Sequence, residues 1–237
     1  MTRNLVAVAA VLAGGLSFAC SRSPSEPPAQ ASSAQASAAV AAPASPSNPS
    51  TGVAAATAEV GKPAPDFTLN DLDGKPVHLA DYRGKIVVLE WFNPGCPFVN
   101  LAHTKGSLKG LAEEKVKEGV VWLAINSAAA GKQGHELADN KDAKQRFGLS
   151  HPILLDDSGQ VGHAYGAERT PHLYVIDTSG TLVYRGAIDN SPDAEGESPT
   201  DGKLVNYVVQ ALEDLKAGRP VQTSTTKAYG CGVKYSS

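Results

Sequence analysis

The stretch that most constrains this chain is residues 85–98. Residues 85–92, Lys-Ile-Val-Val-Leu-Glu-Trp-Phe, form a β-branched, apolar run of the kind that makes a central strand buried on both faces. Asn93-Pro94-Gly95 ends it. Cys96 follows, and Pro97 suits the first position of a helix, where its missing N–H costs nothing. The sequence therefore predicts a buried strand, a sharp break and a helix in immediate succession, with a cysteine at the junction.

The rest of the ordered sequence alternates in the same way. Short strands are predicted at 66–69 and 77–79 around the turn Asp73-Gly74, then a helical turn at 79–82 ended by Gly84. The helix that opens at Pro97 runs toward Lys117 with a break near Gly106. A buried strand at 120–125, a helix at 139–147 stopped by Gly148, a strand at 153–155 and a short helix at 160–165 follow. Residues 172–177 and 182–185 form a hairpin about Ser179-Gly180. Leu204, Val208, Leu212 and Leu215 mark the apolar face of a last helix, stopped by Gly218 and Pro220. This order predicts an α/β domain over 59–218, a mixed central sheet flanked by helices on both faces, with an N-terminal β-hairpin extension. Residues 193–201, acidic with Ser, Pro and Gly, read as a solvated loop, and residues 219–237 as a C-terminal tail.

The first quarter of the chain is of another kind. Arg3 precedes an uncharged run whose apolar part is too short to span a bilayer and fits a signal peptide over 1–20. It ends in Leu16-Ser17-Phe18-Ala19-Cys20, similar to a bacterial lipobox, with leucine one place further back than usual. Two readings stand: Cys20 is lipidated and anchors the protein to a membrane, or an ordinary signal peptide is cut nearby. Residues 21–58, rich in Ala, Ser and Pro, cannot bury enough surface to offset their ordering entropy and read as a disordered linker with a reach of roughly 35 Å. These features predict an exported protein of the bacterial cell envelope. If lipidated it faces the periplasm, with Ser21 favouring the outer membrane; otherwise it is soluble in the periplasm. The formal net charge of −3, with no basic run, points away from a nucleic-acid partner.

Of the three cysteines, Cys20 belongs to the export segment, leaving Cys96 and Cys231. In an oxidising compartment two such thiols often pair. Cys96 sits where first-turn N–H groups and the helix dipole favour thiolate, the nucleophilic form. The competing reading is a buried structural cysteine.

Three segments, Gly61-Lys62-Pro63-Ala64-Pro65-Asp66-Phe67, residues 91–98, and Arg169-Thr170-Pro171-His172, resemble the thioredoxin-like superfamily. The similarity is greatest to its redoxin group, which includes the alkyl hydroperoxide reductase and thiol-specific antioxidant proteins. The resemblance implies that Cys96 is the nucleophile and that Pro171 is a cis-proline facing it, with Thr170 offering backbone to a substrate. It also implies that Glu90 is a buried carboxyl with a raised pKa that relays a proton. A solvent-reaching glutamate is the alternative for Glu90, and an ordinary trans proline for Pro171. The chain departs from the pattern at Val99, where a Cys-x-x-Cys motif has its second cysteine. It departs again at Asn93 and Leu89, where typical peroxiredoxins have threonine or serine and proline. Asn93 remains a candidate hydrogen-bond donor, and Arg185 a candidate cation, or a solvated strand residue. A peroxiredoxin-like subgroup with a Cys-Pro-Phe-Val context and a Gly-Cys ending matches Tyr229-Gly230-Cys231-Gly232. It implies that Cys231 folds back as the resolving thiol. A static disulfide and a free thiol on a disordered tail are the alternatives.

The histidines add little on this reading. His103, about 10 Å along the helix from Cys96, is too distant to be its base, and His172 lacks the cysteines a copper site would need. The sequence thus predicts a thiol-based oxidoreductase acting on a peroxide or a disulfide, resolved by Cys231 or by an external thiol reductant, with no metal or organic cofactor. The alternative is a non-catalytic, tethered binding module that captures clients at the Pro171 groove.

Overall fold

The computed structural model describes residues 57–236. The predicted export segment, Cys20 and residues 21–56 of the predicted linker lie outside the described residues. Strands β1 (Thr68–Asp71) and β2 (Pro76–His78) form the expected hairpin, followed by a 3₁₀ turn at Leu79–Tyr82. Then come β3 (Val87–Trp91), α1 (Pro97–Thr104), α2 (Leu111–Lys117), β4 (Val121–Asn126), α3 (Leu137–Arg146), β5 (Ile153–Leu155) and α4 (Gln160–Tyr165). The chain ends with β6 (Arg169–Thr170), β7 (His172–Ile176), β8 (Leu182–Gly186), α5 (Tyr207–Lys216) and β9 (Cys231–Gly232).

Seven strands make one mixed sheet in the order β2-β1-β5-β4-β3-β7-β8. β3 lies parallel to β4 and antiparallel to β7, so it is central, as its unbroken apolar run requires. Its side chains alternate between two cores. Val87, Leu89 and Trp91 pack with Tyr165 of α4 and with Tyr174, while Val88 faces Trp122, Leu173 and the apolar sides of α2 and α5. Helices therefore cover both faces. The N-terminal hairpin is bonded to this sheet, because β1 also pairs with β5.

The break expected near Gly106 divides the helix after Pro97 in two, and a Cβ there would run into the carbonyl oxygen of Ala194. Two local expectations change. The acidic loop is accordingly not wholly solvated: Ala194 is buried among the residues beneath α2 and α5. Leu204 lies outside the last helix and is 37% exposed; α5 starts at Tyr207, its Asn206 cap accepting a bond from the Val209 N–H. Among the described residues no helix is long and apolar enough to cross a membrane.

Residues 219–236 lie back along the domain. Arg185 of β8 exchanges backbone bonds with Ser224 and Thr226, the Ala129 N–H reaches the Lys234 carbonyl, and β9 pairs antiparallel with β6. This segment is called the strap below.

Candidate active site

The turn before α1 is held from within. Asn93 accepts a bond from the Gly95 N–H and donates one to the Gln133 carbonyl. Asn100, one turn into α1, donates to the carbonyls of Pro94 and Cys96. Cys96 is the N-cap residue, with Pro97 at the start of the helix, as the sequence predicts. The peptide bond between Thr170 and Pro171 is cis, also as expected.

The surroundings of the Cys96 sulfur differ from expectation. Its side chain takes no bond from the first turn of α1. It is 1% exposed, and its S–H donates to the Thr170 carbonyl at 3.0 Å. The Phe98 N–H at the start of α1 acts instead on Cys231, drawing its thiol pKa down. The reason lies in the strap. Pairing of Thr170 with Cys231 in the β6–β9 ladder lays Cys231 over the start of α1, where it packs against the apolar cluster that holds Cys96. Both cysteines are free thiols and Cys231 is partly exposed. Burial, and then the hydrogen bond and charge of Cys96, push the Cys231 thiol up to about 11, against the opposing pull of the Phe98 N–H and Lys234.

Specific contacts place the strap. Gly230 has φ 112°, and a Cβ there would meet the Thr170 carbonyl, so glycine lets the two backbones close. The Tyr229 hydroxyl donates to Asp189 Oδ1 at 2.6 Å and its ring lies 6.3 Å from that of Phe98. Tyr235 donates to the Ala167 carbonyl at 2.7 Å and stacks on His163 at 4.1 Å.

Glu90 is fully buried on the α1 side of β3, but its surroundings reverse the expected shift. Its Oε1 is 2.7 Å from His103 Nε2 and its Oε2 accepts from the Trp122 Nε1–H at 3.1 Å. Burial alone would raise this carboxyl. The charge and hydrogen bond of His103, helped by His151 and the Trp122 N–H, outweigh burial and hold it below the usual carboxylate range. His103 is thus the residue that sequence reasoning undervalued. It lies two turns beyond Cys96 on the inner face of α1, and the signal was available in that spacing and in the carboxylate of the adjacent strand. His151, also buried behind Trp122, finds no hydrogen-bond partner for either ring nitrogen among the described residues.

The remaining candidates are placed elsewhere. The Arg185 guanidinium bonds to the Ala58 carbonyl at 3.4 Å. His172 sits beneath Pro171 with Nδ1 3.2 Å from the Tyr174 hydroxyl. Among the described residues no three His, Cys, Asp or Glu side chains are grouped to hold a metal ion.

A cysteine capping a helix after the central strand, facing a cis-proline across the end of a mixed sheet, defines a thioredoxin-like redox domain. The chain belongs to the Redoxin family, whose model matches residues 59–204. The strap lies beyond that match. Among curated proteins the chain is 35% identical over 130 residues to a thiol-disulfide oxidoreductase, ResA, of Geobacillus thermodenitrificans (strain NG80-2); the match spans 52% of this chain and 66% of that protein. Two solved structures are similar over most of the domain. One is a hypothetical protein of Sinorhizobium meliloti 1021, with TM-score 0.66 and 28% identity over 76% of this chain and 97% of that one. The other is an uncharacterized conserved protein of Geobacillus kaustophilus, with TM-score 0.65 and 32% identity over 75% and 93%.

Proposed function

We propose that this protein is an exported thiol–disulfide oxidoreductase whose redox couple is Cys96 and Cys231. The observation that carries the reading is the pairing of Thr170 with Cys231, which brings Cys231 against the cluster holding Cys96, itself bonded to the Thr170 carbonyl. The likeness to ResA, a thiol-disulfide oxidoreductase, supports it. In the reaction a substrate disulfide R–S–S–R′ takes two electrons and two protons from the couple and leaves as RSH and R′SH, while the two sulfurs join. An external thiol reductant reverses the change in the protein, and no metal or organic cofactor is needed.

A disulfide substrate is favoured over a peroxide. A peroxide site needs donors aimed at the peroxide oxygens beside the attacking sulfur. The Asn93 amide is engaged with Gln133, the Arg185 guanidinium with Ala58, and Cys96 faces a carbonyl acceptor. Client capture at the Pro171 groove is disfavoured as well, because the strap already pairs with Thr170. Glu90, with both oxygens engaged, acts by holding α1 against β3 rather than as a relay. The signal-like segment and Cys20 support export and a lipid anchor, the strap and domain then standing off the membrane on the linker.

The test is turnover of a disulfide substrate with a dithiol reductant by the full chain. Cys96→Ser is expected to lower the rate at least about 100-fold, to background. An unchanged rate removes the reading. Non-reduced digests of oxidised protein are expected to contain a Cys96–Cys231 peptide.

A further inference from the structure

Given that redox couple, we propose that Cys231 is the sulfur at which outside thiols and disulfides exchange, and that Cys96 is the inner partner that closes and opens the internal disulfide. This reverses the assignment drawn from the position of Cys96 in the motif. It rests on the reading of the two cysteines as one couple and adds which of them meets the substrate.

Access decides first. Thiol–disulfide exchange proceeds by attack of one sulfur on another along the line of the bond that breaks. To expel Cys231, a nucleophile striking Cys96 must come from the side of Cys96 opposite Cys231. Cys96 is 1% exposed within an apolar cluster that includes Phe92, Val99, Leu149 and Ile153, so that approach is closed. To expel Cys96, it strikes Cys231 from the outer side. Cys231 is partly exposed there, and a Cβ added at its neighbour Gly232 would meet nothing within 4 Å.

Polar groups favour the same division. The Phe98 N–H, at the positive end of α1, favours negative charge on the Cys231 sulfur, both when it attacks and when it leaves. The Cys96 S–H points at a carbonyl, which cannot stabilise an anion, and is released only toward its partner. The high position of the Cys231 thiol, about 11, makes the first attack slow at neutral pH without moving it to another atom.

The steps balance. Deprotonated Cys231 attacks R–S–S–R′, forming Cys231–S–S–R and releasing R′S⁻, which takes up the proton Cys231 lost. Cys96, losing its proton, then attacks the Cys231 sulfur. The bond to R breaks, Cys96–Cys231 forms, and RS⁻ takes that proton. An external dithiol returns both electrons by the reverse path: it strikes Cys231, expels Cys96, and leaves as its own disulfide.

The experiment uses the full chain and the aromatic disulfide 5,5′-dithiobis(2-nitrobenzoate), followed by release of the coloured thiolate and by intact mass. Cys96→Ser is expected to accumulate a one-to-one mixed disulfide at Cys231, with a rate rising about tenfold per pH unit between roughly pH 7 and 9. Cys231→Ser is expected to react at Cys96 at least about 100-fold more slowly while folded, because the attacking sulfur is buried. Labelling of Cys96 in Cys231→Ser as fast as labelling of Cys231 in Cys96→Ser overturns the assignment and leaves the couple standing. If instead wild-type protein, treated with the probe, forms no Cys96–Cys231 disulfide, the couple itself falls, and the assignment with it.

Discussion

The start of α1 and the strap each bring one thiol to the same place, by opposite means. At α1 many contacts are local: Asn93, Gly95, Pro97 and Asn100 lie within a few residues of Cys96, and the buried Glu90–His103 pair helps tie the helix to the sheet. In the strap nearly every contact is remote: Tyr229 to Asp189, Tyr235 to Ala167, Gly230 against Thr170. The first arrangement is part of the core and comes apart only with the domain. The second lies on the surface of an already complete sheet, so it is open to local release. A couple built from one of each keeps one sulfur fixed and sheltered while the other faces solvent.

The sharpest way to break this contrast is to cut the tie beneath α1. His103→Ala leaves a buried carboxylate with one oxygen unpaired and is expected to cost about 3–5 kcal/mol in urea unfolding. A loss below about 1 kcal/mol would mean that the pair does not anchor the helix.

Acid tests both regions at once. Burial first, with nearby charges, holds His151 behind α1 and His172 beneath Pro171 each down to about 4. Glu90 and Glu113 pull His151 the other way, while His103 and Lys144 add to the depression; Arg185 adds to that of His172. The unfolded chain takes up these protons below about 6.5 and the folded chain does not. Stability is therefore complete above that pH and is lost as pH falls toward 4, by at most roughly 3 kcal/mol per histidine. Asp156, raised by burial, offsets part of this. Glu90, held low, keeps its contribution through this window and loses it only at lower pH. A urea midpoint that stays level from pH 7 to 4.5 would refute the assignment; His151→Phe and His172→Phe divide the loss between the two regions.

Gly230→Ala attacks the strap alone. A side chain at that φ, set against the Thr170 carbonyl, is expected to cost about 1–3 kcal/mol. The amides of 224–235 should lose hydrogen-exchange protection while those of α1 keep theirs. Equal loss in both would show that the strap is part of the same cooperative unit. Tyr229→Phe is the mildest cut: removing a bond to the buried Asp189 is expected to cost about 1.5 kcal/mol and to raise the labelling rate of Cys231 severalfold. No change in either quantity would remove Tyr229 as a latch.

Much of the domain was legible in the chain. The run ending at Trp91, the Pro-Gly break and Pro97 determine a buried strand, a turn and a helix start because each acts within its own few residues, through alternation, φ restriction and the missing N–H. The N-terminal hairpin was readable for similar reasons, whereas the cis Pro171 was implied only by the family resemblance. Leu204 was misplaced because apolar spacing does not mark where a helix begins; the Asn206 cap does. Gly106 signalled a break, but nothing local named Ala194 as its neighbour.

By itself, then, the sequence determined where Cys96 stands: at the start of a helix after the central strand. Only the tertiary structure decided what that position means. A hydrogen bond from a thiol, the direction of a carboxyl's shift and the exposure of a sulfur depend on atoms brought from Thr170, His103 and the strap, all separated from Cys96 or Glu90 along the chain. Such contacts form because packing closes the remaining space, and no rule of local spacing carries that information.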